Sequence, residues 1–521
     1  MKHIKTFLSF LFISLLITSC DLLDLSPEDN YASGNFWKNE AHVEAFALGL
    51  HADLRSSYQS MMFTLGEARG GTQKTGNGSQ GSSLDMSSPI KNNAFTKDLT
   101  GISSWMGLYS NILQVNHFIE QLEKGTEFLS ADKRNYFLGQ AYGLRAFYYF
   151  YLYRTFGGVP IITEVKILQG KVEAKNLYTP RATAKQTLDF IKEDINKSET
   201  AFGSQTTIKN KKAQWSYYAT KMLKTEIYLW SAKVKTGDQS PATADLTTAE
   251  TALQSVLSAS QFELLPAYSD VFAYTNKGNK EVIFAVRYAD GEASNFVHNF
   301  SYQIPLFVNK FYNNKGELIT KDTLDIKSTV VQRHEYKLGL FNSYDDLDAR
   351  KRGIFLDYYN KEKALVGTVV KKYNGLLNSE GNRSWSDDFV VYRYADAVLL
   401  MAEIKNMQNQ SVATYINQIR QRAFGKNYIA ATHGYTDGNF SANELAILHE
   451  RDKEFVLEGK RWFDIRRMQQ SLNGQPLAFS ATANYDDPSP VIDPSKSYLL
   501  LWPIDINTLN NDPELKQTEG Y

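Results

Sequence analysis

The chain has 521 residues and a single cysteine, Cys20. An internal disulfide, a cysteine-based zinc site and a cysteine nucleophile in the body of the protein are therefore excluded. Net charge is also absent, with 57 Lys and Arg against 57 Asp and Glu. A nucleic-acid binder needs a basic face and a polybasic membrane-surface protein needs a cationic excess, so neither class fits. The eight histidines form no HExxH pair and no other zinc spacing. Asn77 stands where a nucleophile elbow around Ser79 requires its first glycine. Gly71 to Thr75 lacks the glycine that precedes the lysine of a phosphate loop. Asp345-Asp346 and Asp387-Asp388 have the composition of a glycosidase pair, but among 57 acidic residues such neighbours are commonplace. No catalytic constellation is legible, and the expectation is of a chain that is not an enzyme, with no cofactor and no metal site.

The one long apolar run lies at the start. Lys2 and Lys5 precede Phe7 to Ile17, interrupted only by Ser9 and Ser14, and Leu16-Ile17-Thr18-Ser19-Cys20 closes it. The run is too short for a stable membrane span and has the form of a secretory signal over residues 1–19. Its ending looks like a bacterial lipobox, with cleavage before Cys20 and lipid on the thiol. Each buried acyl CH₂ adds roughly 0.8 kcal/mol, so more than one chain on Cys20 gives a durable anchor. Residues 20–34 then form a tether, acidic from Asp21 and containing Pro27.

Beyond the tether the dominant period is helical. Phe36, Val43, Phe46, Ala47, Leu50 and Leu54 make one stripe, and Trp105, Leu108, Ile112, Val115 and Ile119 another. Ser130 caps a helix that runs to Phe156. Its Ala146 to Tyr153 half is apolar or aromatic all round, as in a helix buried between layers. Gly157-Gly158-Val159-Pro160 ends it. Arg181 to Ala201 is a further helix. Gln214 to Lys235 with Thr247 to Ala259, and Tyr394 to Met407 with Val412 to Arg422, read as helix pairs of the tetratricopeptide-like kind. Ser441 and Glu444 form a capping box for a last long helix reaching Met468. Arg69 to Pro89 is a Gly/Ser/Asn-rich loop, Glu281 to Val286 a strand, and Asp290 to Asn382 a series of loops and short strands. The fold class is all-α: tetratricopeptide-like helix pairs as scaffold, with a large irregular loop and short-strand region. Residues 35–521 make one domain, with an N-terminal helical part (35–260) and a C-terminal part (261–521) holding the irregular insertion.

Several stretches carry a resemblance. They are Cys20 to Asp24, Phe36-Trp37-Lys38-Asn39-Glu40, Trp105 to Asn116, and Leu144 to Tyr148 leading into Phe156 to Pro160. Further on come Arg393 to Asp396 with Leu399 to Glu403, Glu450 to Arg467, Trp502-Pro503-Ile504 and Gly520-Tyr521. Together, and in this order, they resemble the SusD/RagB family of outer-membrane nutrient-binding lipoproteins over essentially the whole mature chain. The resemblance implies a lipid-anchored protein on the outer face of the outer membrane, acting as a lid over a SusC-like TonB-dependent transporter. It implies a glycan ligand and ligand residues in the irregular region. Peptide capture, or a helical-repeat lid that binds nothing itself, are the alternatives.

The family's signatures mark fold positions. Arg145 is expected in a buried ion pair, Arg461, Asp464, Arg466 and Arg467 in scaffold salt bridges, and Trp462 and Phe463 in the core. Gly459 is expected inside the last helix, at a close helix contact. Ligand candidates lie on loops: Arg69, Gln73, Lys74 and Asn77, then Tyr288, Asn295, Phe296, His298, Tyr302 and Tyr312. Ordinary packing is the competing reading for each. Trp385 leads the set, because Arg383, Ser384, Ser386 and Asp387 leave it no apolar sequence neighbour. An exposed indole among polar groups is a stacking surface for a sugar.

Overall fold

The computed structural model describes residues 36–76, 90–168, 172–327 and 330–521. The signal peptide, Cys20, the tether and Asn77 lie outside the described residues. Helix α1 (Glu40–Ser60) starts where Asn39 accepts from the His42 amide, and it runs on into a wider π-helical turn, Met61–Leu65. Helix α2 is Leu108–Lys124. The expected start at Trp105 is corrected: Ser104, Trp105 and Met106 form a tight turn at φ 48°, 52° and 59°, held by the Ser104 amide donating to Asp505. Helix α3 (Ala131–Phe156) has the expected Ser130 cap, accepting from Lys133, and stops at Gly157 with φ 78°. Its residues 143–156 are buried on every side.

Helix α4 (Ala184–Phe202) opens on a capping box of Thr183 and Gln186 and packs along α3. Helices α5 (Tyr217–Lys233) and α6 (Asp245–Leu257) form one expected pair. Helices α7 (Tyr394–Met407) and α8 (Ala413–Phe424) form the other, and α7 packs against α6. Thus the protein is helical, with only short strands. One hydrophobic cluster runs from Val43 to Ile504 and includes Trp215, Trp230, Trp462 and Trp502, each fully buried. Among the described residues no helix is long and apolar enough to cross a membrane.

The last long helix is two. Helix α9 (Phe440–Glu454) is capped by Asn439, not Ser441, and Glu444 turns inward to bind Lys233 at 2.8 Å. Helix α10 (Arg461–Arg467) follows after a break. Gly459 sits in that break at φ 71°, not inside a helix. The close contact is real, however: a Cβ on Gly66 would lie 2.2 Å from the Gly459 carbonyl oxygen. The break also lets the Gly459 amide donate to the buried Glu67 carboxylate at 3.2 Å.

The signature charges form a buried lattice. Arg145 binds Asp194 through two nitrogens, each at 2.7 Å. Arg461 pairs with Asp452, Arg451 with Asp396 and Asp464, and Arg467 with Glu403 and Asp464. Arg466 departs from expectation. It donates to the Arg154 carbonyl and lies over Trp230 and Trp462, so aromatic faces and a backbone oxygen replace a carboxylate. Burial pulls its pKa down to about 9.

The irregular region is built from two-stranded ladders. Strand β1 (Gln73–Thr75) pairs with β3 (His334–Tyr336), β2 (Val282–Val286) with β8 (Phe389–Arg393), β4 (Phe355–Tyr359) with β5 (Leu365–Val370), and β6 (Leu376–Leu377) with β7 (Arg383–Ser384). β5 is tied to β3, because the Thr368 amide donates to Glu335 at 3.0 Å and Gln332 donates to the Thr368 carbonyl at 3.1 Å.

Candidate functional site

Most of the expected ligand residues are inside the fold. Trp385 is only 6% exposed. Its sequence neighbours are polar, but distant segments close around it: Asn295 donates to the Trp385 carbonyl at 2.7 Å and Lys277 to the Ser386 carbonyl at 2.7 Å. Arg383 is occupied by the Asn374 and Leu324 carbonyls, at 2.8 and 2.6 Å. Asp387 is buried, and desolvation pushes its pKa up to about 7. The indole therefore offers no face to a sugar, and this expectation is corrected.

Arg69 is fully buried and donates to Asn93 at 2.7 Å. Its guanidinium lies 3.9, 4.5 and 4.6 Å from the ring centres of Trp462, Trp502 and Phe95. Gln73 is buried in β1, and Lys74 beside it pairs with Glu335 at 3.2 Å. Tyr288 is buried, with its hydroxyl on the Arg55 carbonyl. Asn295 is buried as well. Tyr302 stacks on Phe307 at 4.0 Å and donates to Asp322. Phe296 is half-buried among Phe63, Phe300 and Phe389. His298 is half-buried, and burial lowers its pKa. Arg69, Gln73, Tyr288, Asn295 and Tyr302 pack the interior, and Lys74, Phe296 and His298 are half-buried at its edge.

Tyr312 is different. Its amide donates to the Tyr359 carbonyl and the Tyr359 amide donates to the Tyr312 carbonyl, both at 2.8 Å. Two residues that exchange both bonds lie directly opposite, with their side chains on one face. Alternation along each strand sends their neighbours to the other face. There Phe311 and Tyr358 meet at 4.8 Å and pack on Phe307, at 5.9 and 5.3 Å. Hence Tyr312 and Tyr359 stand half-exposed on a ladder that a buried aromatic layer holds rigid. Among the described residues neither ring packs against another aromatic ring.

The polar groups beside them are fixed too. The Tyr359 hydroxyl donates to Asp357 at 2.7 Å, and Asp357 also binds Arg352, whose side chain is 41% exposed. Burial, then the bond to Asp357, pushes the Tyr359 hydroxyl up to about 12, so it stays a neutral donor at neutral pH. Leu318, 42% exposed, bridges to Tyr312 from the opposite side. The surface thus offers two partly exposed phenol rings, a guanidinium and an apolar edge, with the buried Asp357 carboxylate holding the Tyr359 hydroxyl and Arg352 in place. That combination stacks on C–H faces and hydrogen-bonds hydroxyls. Tyr359 was missed in the sequence, because Phe-Leu-Asp-Tyr-Tyr at 355–359 is apolar or aromatic at four of five positions and no alternation separates its two tyrosines. Among the described residues no group of three or more His, Cys, Asp or Glu is placed to hold a metal ion.

Comparisons with known proteins agree with this architecture. A family model described as the SusD family matches residues 358–521, and one described as starch-binding associating with outer membrane matches residues 21–229. A SusD superfamily protein of Bacteroides fragilis is 40% identical, over 93% of this chain and 100% of that chain, with a TM-score of 0.87. NanU of B. fragilis is 33% identical, over 95% of this chain and 100% of that chain, with a TM-score of 0.81. The surface glycan-binding protein A of Bacteroides thetaiotaomicron, solved with laminarihexaose, is 17% identical over 92% of this chain and 100% of that chain. Its TM-score of 0.68 shows a shared fold.

Proposed function

Because the chain belongs to the SusD family, we propose that it is a surface lipoprotein of the outer membrane that captures oligosaccharides and hands them to a SusC-like TonB-dependent transporter. The observation that carries glycan capture is the Tyr312–Tyr359 pair, two half-exposed rings held side by side on a rigid ladder beside Arg352, with Asp357 fixing the Tyr359 hydroxyl. Large apolar faces left open beside fixed hydrogen-bonding groups are what a pyranose covers. The laminarihexaose complex of the B. thetaiotaomicron protein supports the class of ligand, since it shows a glycan on the same fold. The family description that names the outer membrane supports the location. The residues around Cys20 support the anchor, and the neutral charge balance leaves lipid as the means of attachment.

The binding test is affinity electrophoresis against a panel of neutral and acidic polysaccharides. Aromatic contacts of this kind contribute roughly 0.5–1.5 kcal/mol each beyond their buried area. Tyr312→Ala with Tyr359→Ala is therefore expected to abolish the retardation seen for wild type, with the fold kept and the melt lowered only slightly, because both rings are partly exposed and one hydrogen bond to Asp357 is lost. Retention of binding by the double variant would remove the tyrosine surface from the reading. The anchor has its own test: Cys20→Ala is expected to move the protein from the membrane fraction to the soluble one and to end fatty-acid labelling. Labelling that persists in the variant would overturn the anchor.

A further inference from the structure

The charged run from Glu450 to Arg467 is almost completely matched. Glu450, Arg451, Asp452, Glu454, Glu458, Lys460, Arg461, Asp464 and Arg467 each sit in an ion pair. Arg466 is held by aromatic rings. Lys453 is the exception. No carboxylate lies within ion-pair distance of its ammonium among the described residues. The side chain is half-buried, near the face of Tyr344 at 5.9 Å. Burial pulls its pKa below the ordinary lysine value, so an anion beside it would relieve a cost the fold now carries.

Lys453 stands on the wall of an open cleft of about 390 Å³ between α8, α9 and the segment 342–350, and neither Tyr312 nor Tyr359 lines it. The cleft's other charges are largely satisfied. Arg350 binds Asp348 at 2.7 Å and Glu450 at 2.7 Å, and Arg420 binds Glu450 at 2.9 Å. Asp345 is exposed and has no cation in ion-pair distance among the described residues. Phe424 stacks on His433 at 4.0 Å and 11° between planes, which makes one wall flat and aromatic. Asn342, Ser343 and Thr432 add hydroxyl and amide groups.

We propose that this cleft is a second binding site, for a monosaccharide-sized polyol bearing one carboxylate, as a uronic acid does. The carboxylate meets Lys453, the hydroxyls meet Asp345, Asn342 and Thr432, and the ring lies along Phe424. A dianion such as a phosphate monoester is disfavoured, because Asp345, Asp348 and Glu450 line the same space. An apolar ligand is disfavoured by the hydroxyl and amide lining. The volume lies within the range of about 300–1,000 Å³ typical of ligand clefts.

The test is calorimetry on the mature protein with galacturonate and glucuronate, with galactose and alanine as controls. The expected result is saturable binding of a uronic acid, about tenfold or more tighter than either control. Lys453→Gln and, independently, Phe424→Leu are expected to weaken it about tenfold or more, and Lys453→Arg to retain it. The Tyr312 and Tyr359 variants are expected to leave it unchanged, which separates this site from the glycan surface proposed above. No binding of either uronic acid, equal or tighter binding of galactose or alanine, or undiminished binding in both Lys453→Gln and Phe424→Leu would overturn it.

Discussion

Trp462→Ala is expected to destabilise the protein by about 3–5 kcal/mol, the cost of emptying a fully buried aromatic site. The indole is 1% exposed on α10. It also does something a cavity estimate omits: its face lies 3.9 Å from the Arg69 guanidinium. Arg69 is wholly buried with no acidic partner among the described residues, and burial drives its pKa well below the arginine range. The rings of Trp462, Trp502 and Phe95 are what make a charge tolerable there. Trp462→Phe keeps a ring at the position and is expected to cost less than half as much. The measurement is a urea titration of wild type and both variants, read at constant slope. An alanine variant with a wild-type midpoint would mean that neither the cavity nor the cation contact contributes to stability.

The parts of the fold that were legible in the sequence are those that local chemistry decides. Ser130 caps α3 because a serine oxygen three residues before an amide satisfies it wherever the helix lies. The aromatic half of α3 announces burial on all sides, and Gly157 announces its end. The family's ordered motifs added the pairing of helices that period alone leaves open. What failed was non-local. Trp385 has only polar sequence neighbours, but its cover comes from residues about a hundred positions away, such as Asn295 and Lys277. Arg69 sits at the edge of a Gly/Ser-rich loop yet is closed in by Trp462 and Trp502. In the run 450–467 charge type predicts salt bridging, but only the tertiary arrangement shows that Lys453 is left over and that Arg466 faces rings. The break between α9 and α10 had one local sign, Gly459, and helical packing was an equally good account of that glycine until its φ was seen.

Glu454→Gln is expected to cost about 3–5 kcal/mol, because it removes one partner from a buried charge network and keeps the shape. The network is balanced: Arg350, Lys372, Arg393, Arg420 and Arg422 face Glu281, Asp348, Glu450, Glu454 and Glu458, five charges of each sign. Glu454 is its hub, bound by Arg393 at 2.6 Å, by Arg350 at 3.0 Å and by Arg422. Glutamine leaves one positive charge uncompensated beside Arg350, Arg393 and Arg422, whose side chains are almost wholly buried. The same geometry fixes a pH dependence. Burial opposes ionisation of Glu454, but Arg422, Arg393 and Arg350 outweigh it and hold the carboxyl well below the glutamate range. A depressed carboxyl contributes stability that is fully present above its unfolded pKa of about 4.3 and is lost as pH falls below it toward the folded value. Wild type is therefore expected to lose stability steadily as pH drops below about 4. The glutamine variant, already without that carboxylate, is expected to show a shallower acid slope from a lower plateau. Urea midpoints for both proteins between pH 7 and pH 3 give both results in one series. Parallel curves would show that Glu454 takes up its proton at the same pH folded and unfolded, and would exclude the arginine cage as the source of acid sensitivity.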